Sequence, residues 1–133
     1  MKLIRHSLAL VGTAALLFST SLAAQAEFVE NNYVCEDAYM EVATACGDNA
    51  VAVEKKRLND LYMSVYPTLD QQQKARLDKK QRAWLKTRSE KCDFNYAGPM
   101  NNSVVYAMVS ADVCVANETQ KRSRAISNEY DIK

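Results

Sequence analysis

The sequence predicts an all-α fold, a small disulfide-stapled bundle of about four helices, two of them long and antiparallel. First, no Gly or Pro interrupts Thr68–Cys92, where apolar residues recur at helical spacing. Second, residues 27–133 contain only two Gly and two Pro, and they show no strand-like alternation. Third, the same residues hold four cysteines, an even number that favours two disulfides in a small exported domain.

The long helix is predicted to begin at Pro67 and Thr68, because Thr68 and Gln71 have the spacing of a capping box. One face of this helix is predicted to point into the core. Its residues are Leu77, Gln81, Trp84, Leu85, Arg88 and Cys92.

Two polar residues of that face, Gln81 and Arg88, need defined partners if they are buried. For Arg88 we expect an ion pair or a carbonyl contact within the bundle, and the alternative is that it anchors a carboxylate ligand. Trp84 is expected to be a core residue, and the alternative is contact with a partner.

Two shorter helices are predicted before the long one. The first covers Tyr33–Cys46 and stops at Gly47. The second covers Ala50–Tyr66, is capped by Asp48 or Asn49, and should lie antiparallel to the long helix. Its apolar face comprises Val51, Leu58, Leu61, Tyr62 and Val65.

A loop is predicted over residues 93–102, because Gly98-Pro99 breaks regular structure. A last helix follows over Ser103–Tyr130, with Asn102 as its cap. The inner face predicted for this helix comprises Val104, Ala107, Met108, Ala111, Val115, Thr119 and Ile126.

The chain is expected to be exported. Residues 1–26 have the basic, apolar and Ala-x-Ala regions of a signal peptide, with cleavage after Ala26. The domain is then 27–133, expected to be periplasmic or secreted and free of a membrane anchor, since it has no second apolar run and no lipid-attachment pattern before Cys35.

Charge is distributed unevenly. Glu27–Glu54 contains seven acidic residues and no Lys or Arg, whereas Lys74–Lys91 contains eight basic residues. We expect the two stretches to pack side by side and neutralise each other, and the alternative is a bipolar surface that steers a charged partner.

Three pairings of the four cysteines are possible. We favour Cys35–Cys46 and Cys92–Cys114 because they close the shortest loops. A straight helix between Cys35 and Cys46 would span about 16 Å, too far for a disulfide, so that helix must be shorter or bent.

The residue inventory argues against catalysis. The only histidine, His6, lies in the predicted signal peptide, and oxidised cysteines supply no nucleophile. We therefore expect no enzymatic activity, no metal site, no cofactor and no nucleic-acid partner.

Taken together, these residues resemble the LprI-type lysozyme inhibitor domain family. The long helix carries a pattern similar to the family's L…Q-x-x-W-L-x-x-R-x-x-C core. Cys35 and Cys46 with Leu58, Leu61 and Tyr62 match its opening, and Cys114, Thr119 and Arg122 match its closing segment. The resemblance implies a helical envelope domain with the cysteine pairing favoured above.

Two functions are compatible with this sequence. The first is inhibition of lysozyme or a related peptidoglycan hydrolase by plugging its cleft. An acidic region (Glu36, Asp37, Glu41) is expected to steer the cationic enzyme, and a polar or basic side chain from the apolar loop (Phe94, Tyr96) or from the basic helix is expected to meet its catalytic acids. The second is a non-catalytic adaptor that binds an anionic polymer or a protein through the basic helix (Lys79, Lys80, Lys86).

Overall fold

A computed structural model describes residues 28–132 and confirms the all-α class. Its three α-helices are α1 (Met40–Val65), α2 (Gln71–Lys91) and α3 (Asn102–Glu129). A single 3-10 turn, Tyr66–Thr68, joins α1 to α2. The described residues therefore form three helices rather than about four.

Helix α1 corrects the prediction of two separate helices ending and starting near Gly47. Gly47 lies inside α1 and is buried. A Cβ atom at this position would lie 3.2 Å from the Cβ of Asp112 and 3.7 Å from the Cα of Val109, both on α3. The glycine therefore permits two helix backbones to approach closely and does not end a helix.

Gly47→Leu should accordingly lower the free energy of unfolding by about 1 kcal/mol or more, although leucine is the better helix former. Ala45→Leu, at an exposed position of the same helix, is the matched control and should change stability by less than about 0.5 kcal/mol. Urea denaturation of both variants measures the difference. Equal stability of the two variants would contradict the close approach of α1 and α3.

The three helices run up, down and up. Gly47 of α1 faces Asp112 of α3, and Arg57 further along α1 reaches Gln120 further along α3, so α1 and α3 are parallel. Helix α2 runs antiparallel to α3, since its pairs with α3 proceed in reverse order, Lys80 with Glu129 and Lys91 with Glu118. Helix α1 also runs opposite to α2, as predicted for the segment Ala50–Tyr66, but it packs chiefly on α3.

Two apolar clusters fill the interior at opposite ends of the bundle. One lies around the α1–α2 turn and comprises Leu58, Val65, Leu69, Leu77 and Ile126. The other lies beside the first disulfide and comprises Cys35, Ala43, Val109 and Val113.

Helix starts differ slightly from the predicted ones. The capping box of α2 is formed by Asp70 and Gln73, not by Thr68 and Gln71. Thr68 belongs to the 3-10 turn, where its hydroxyl donates to the carbonyl of Val65. Asn101 caps α3 by accepting a hydrogen bond from the Ser103 amide, so the predicted cap, Asn102, is the first helical residue.

The inner face predicted for α3 is only partly confirmed, because Val104, Ala107, Ala111 and Val115 are half-buried rather than buried. Thr119 and Ile126 are buried as expected, but Met108 is 52% exposed. The buried face of α3 consists mainly of small and polar residues: Val109, Val113, Ala116, Thr119, Gln120, Arg122, Ser123, Ile126 and Ser127. Small residues let α1 approach α3 closely, which a search for large apolar residues does not detect.

Both favoured disulfides are confirmed, Cys35–Cys46 and Cys92–Cys114, each with a Cα–Cα distance of 5.5 Å. The distance problem for the first pair disappears because α1 begins only at Met40. Cys35 lies in a turn before the helix, where its carbonyl accepts from the amide of Ala38, so the chain folds back onto Cys46.

The signal peptide predicted for residues 1–26 lies outside the described residues. Of the three helices in the described part of the chain, none has both the length and the apolar character required to cross a membrane.

Candidate functional site

The first candidate site is the end of the bundle that carries both disulfides. We define this disulfide end as residues 34–48, the loop 92–101 and the first half of α3, 102–114. These segments are neighbours because Ser110 of α3 donates to Glu36 at 3.1 Å and also lines a small pocket with Phe94. Tyr106 of α3 likewise donates to the carbonyl of Ala38 at 3.1 Å.

Large apolar side chains are unusually exposed at the disulfide end. Tyr39 is 88% exposed and Met100 is 87% exposed. Val34, Val42, Phe94 and Met108 are also exposed. Exposed apolar residues that lie together, rather than singly, indicate a surface for contact with another molecule.

The charge at this end is of one sign. Residues 28–54 and 92–120 contain no Lys or Arg. Six acidic residues in these ranges form no salt bridge within the described part of the chain: Glu36, Asp37, Glu41, Asp48, Asp93 and Asp112. The pKa of Asp112 is raised, first by burial and second by the charge of Asp48. The part of this pKa shift that comes from Asp48 reflects like charge at this end.

Between the two ends, α2 and α3 share a layer of polar contacts made by motif residues. Arg122 Nε donates to the Oε1 of Gln81 at 2.9 Å, and an Arg88 guanidinium nitrogen lies 3.5 Å from the Oγ1 of Thr119. Thr119 in turn donates to the carbonyl of Val115 at 2.6 Å. Thus Gln81 and Arg88 do have partners on α3, and the partner of Arg88 is a hydroxyl rather than a carboxylate.

The second candidate site is a groove between α1 and α2, which we name the Trp84 groove. Its volume is about 350 Å³, within the range of small-ligand sites. The lining residues are Lys55, Leu58, Asn59, Tyr62, Gln81, Trp84, Leu85 and Arg88. Trp84 is half-buried and Leu85 is 39% exposed, so the predicted core face of α2 is fully buried only at Leu77 and nearly so at Cys92.

The groove also contains an aromatic and charged contact. The Cζ of Arg88 lies 4.9 Å from the ring centroid of Trp84, a cation–π geometry. The hydroxyl of Tyr62 donates to the Oδ1 of Asp78. Burial and this hydrogen bond raise the pKa of Tyr62 above its ordinary value.

The predicted mutual neutralisation of the acidic and basic stretches is wrong. Three of the eight basic residues pair with α3 or with α2 itself: Lys80 with Glu129 at 2.6 Å, Lys91 with Glu118 at 2.7 Å and Lys86 with Glu90 at 3.8 Å. Lys79 is exposed and forms no salt bridge in the described range. Within the acidic stretch, Glu36, Asp37, Glu41 and Asp48 therefore form no salt bridge in the described range.

The structure places the predicted partner-binding residues in two groups. Glu36, Asp37, Glu41 and Phe94 are exposed at the disulfide end, with Tyr96 half-buried beside them and donating to the carbonyl of Pro99. The three lysines lie on α2 instead. Sequence reasoning missed Tyr39 and Met100, since an apolar residue at helical spacing or in a loop is ordinarily taken as packing. In residues 28–132 no group of three or more His, Cys, Asp or Glu could hold a metal ion.

These features define a small, two-disulfide, three-helix domain with exposed apolar and acidic groups at one end. Residues 35–126 match the family model described as Lysozyme inhibitor LprI, and the chain belongs to that family. Neither a curated protein nor a solved structure gives a significant match to the chain.

Proposed function

We propose that this protein inhibits a cationic lysozyme-type hydrolase outside the cytoplasm, and that the disulfide end docks on the enzyme. One observation carries this proposal: exposed apolar side chains and six unpaired carboxylates occur together at one end, in segments that lack Lys and Arg. Membership of the lysozyme inhibitor family supports it.

The two kinds of residue have different roles. Lysozymes of animal hosts are usually cationic, so the carboxylates attract such an enzyme over distance and raise the association rate. Exposed Tyr39 and Met100 then supply apolar contact area, which holds the complex together. The proposal thus assigns the association rate to charge and the residence time to apolar burial.

The loop after α2 is suited to cover the cleft. A lysozyme cleft contains two catalytic carboxylates, which would repel acidic groups. Residues 94–100 carry no charged side chain, whereas Asp37 and Glu41 are exposed nearby. We infer that the acidic residues contact the cationic rim of the enzyme while loop 94–100 lies across the cleft and excludes substrate.

Charge reversal tests the docking surface. Glu41→Lys should weaken inhibition of cell-wall lysis by about tenfold at low salt, because it places a like charge against the enzyme. Asp60→Lys is the control, since Asp60 is an exposed carboxylate towards the other end of the same helix. Its inhibition constant should stay near that of the wild type, and the difference between the variants should shrink as salt rises.

Two results would contradict the proposal. One is undiminished lysis in the presence of a large molar excess of the wild-type protein. The other is equal loss of inhibition in Glu41→Lys and Asp60→Lys, which would show that only net charge matters.

The adaptor function stays a prediction, as do export and the absence of enzymatic activity. The basic surface of α2 that the adaptor function would use is less available than the sequence suggested, because Lys80 and Lys86 already pair with carboxylates. Reversing the charges of Lys79, Lys80 and Lys86 together should leave lysozyme inhibition unchanged if the disulfide end is the docking surface.

A further inference from the structure

We infer that the Trp84 groove binds a small ligand with an anionic group on an apolar body. The site is separate from the docking surface proposed above. It lies between Lys55–Tyr62 of α1 and Gln81–Arg88 of α2.

The charged residues that line the groove are all cationic. Lys55 and Arg88 both line the groove, and no Asp or Glu does. Neither cation forms a salt bridge with a described carboxylate. Two cations that form no salt bridge attract an anion to the groove, although the charge of Asp112 on α3 also acts on Lys55.

The guanidinium of Arg88 has few hydrogen-bond partners within the described part of the chain. Its single hydrogen bond is the weak 3.5 Å contact with Thr119, and its Nε is buried without a partner. The second terminal nitrogen of Arg88 forms no hydrogen bond within residues 28–132, and it is not buried. That nitrogen is therefore a free donor, of the kind that pairs with carboxylate or phosphate.

A third cation, Arg122, lies next to the lining residue Gln81. Arg122 is only 9% exposed, and one of its terminal nitrogens is buried without a partner. It lies directly behind Gln81, to which its Nε donates. Glu129 is the carboxylate whose charge acts on Arg122, and it pairs with Lys80. Asp78, which contacts the groove residue Tyr62, accepts from the hydroxyls of Tyr62 and Tyr66.

The remaining lining suits an apolar body. Leu58, Tyr62, Trp84 and Leu85 form most of the surface, and the polar Asn59 and Gln81 complete it. A volume of about 350 Å³ holds a compound of ring size with a short anionic arm.

The experiment uses the fluorescence of Trp84, which is the only tryptophan of the chain and therefore reports this groove alone. The disulfide-bonded protein is titrated with hydrocinnamate, with its neutral amide, and with phenyl phosphate. We expect saturable changes in emission with hydrocinnamate in the millimolar range or tighter, as its size allows. The amide should bind much more weakly. Saturation by phenyl phosphate alone would assign the same anion site to phosphate esters.

Arg88→Gln should weaken binding of the anion by about tenfold or more, since it removes a charge-assisted hydrogen bond. Arg76→Gln is the matched control, because Arg76 is an exposed arginine of the same helix outside the groove, and it should bind like the wild type. If Arg88→Gln fails to fold by circular dichroism, Lys55→Gln at an exposed position decides the matter, with an expected loss of about threefold.

Three results would overturn the inference. They are the absence of any saturable change with either anion, equal binding of the anion and the amide, and wild-type affinity in the folded groove variant.

Discussion

Replacing Glu54 with alanine is expected to lower the free energy of unfolding by about 3 kcal/mol, the low end for breaking a buried ion pair. Glu54 is fully buried. Its Oε1 accepts from the hydroxyl of Tyr33 at 2.5 Å and from the side-chain Nδ2 of Asn31 at 2.7 Å. Its Oε2 lies 3.5 Å from the Nε of Arg57. We expect a value at the low end of the range for buried ion pairs because the side chain of Arg57 is 29% exposed, so its charge can be solvated when Glu54 is absent.

The effect should be local as well as global, because Glu54 fastens the N-terminal segment to the bundle. The backbone N–H of Asn31 in addition donates to the Oε1 of Gln120 on α3 at 2.7 Å. Burial and the hydrogen bond to Glu54 together raise the pKa of Tyr33 to about 12. In Glu54→Ala the Tyr33 hydroxyl should titrate closer to its ordinary pKa, which ultraviolet absorbance at rising pH detects.

Chemical denaturation of Glu54→Ala and Asp60→Ala separates a buried carboxylate from an exposed one. Asp60 pairs with Lys56 at 2.5 Å, but both side chains are largely exposed, so its loss should cost at most about 0.5 kcal/mol. A Glu54→Ala variant as stable as Asp60→Ala would show that the network is not part of the folded state in solution.

Leu77→Ala is the second large effect, with an expected loss of about 3 kcal/mol from lost burial and the cavity left behind. Leu77 is fully buried in the apolar cluster that joins all three helices, where it lies with Val65 and Ile126. At about 4 °C per kcal/mol or more for a domain of this size, the melting midpoint should fall by roughly 10 °C or more.

Leu85→Ala, two turns further along α2, is the matched control because Leu85 is 39% exposed. It should lower stability by about 1 kcal/mol or less. Thermal unfolding followed by circular dichroism compares the two directly. Similar midpoints would contradict the orientation of α2, since the same stripe predicted both leucines to face the core.

The overall class and the disulfides could be predicted from the sequence because they depend on local or counted features. Helical spacing, few Gly and Pro, and an even cysteine count are all visible in the chain. Gly47 misled the prediction because glycine more often ends a helix, and only the backbone of α3 beside it explains its place inside α1.

The functional surfaces were predictable only in part, because they depend on tertiary placement. The acidic stretch was visible, yet Glu54 within it is buried and structural, whereas Asp93 joins it from a distant segment. The basic stretch was visible too, but its partners, Glu118 and Glu129, lie in a helix far along the chain. Both outcomes follow from the packing of α1 and α2 on α3, which no local pattern encodes.

Hydrogen exchange of the protein with and without a cationic lysozyme tests the central claim most directly. We expect slower exchange on complex formation in residues 34–46 and 93–101, with the amides of α2 unchanged. Slower exchange confined to α2, or no change anywhere at saturating enzyme, would contradict docking through the disulfide end.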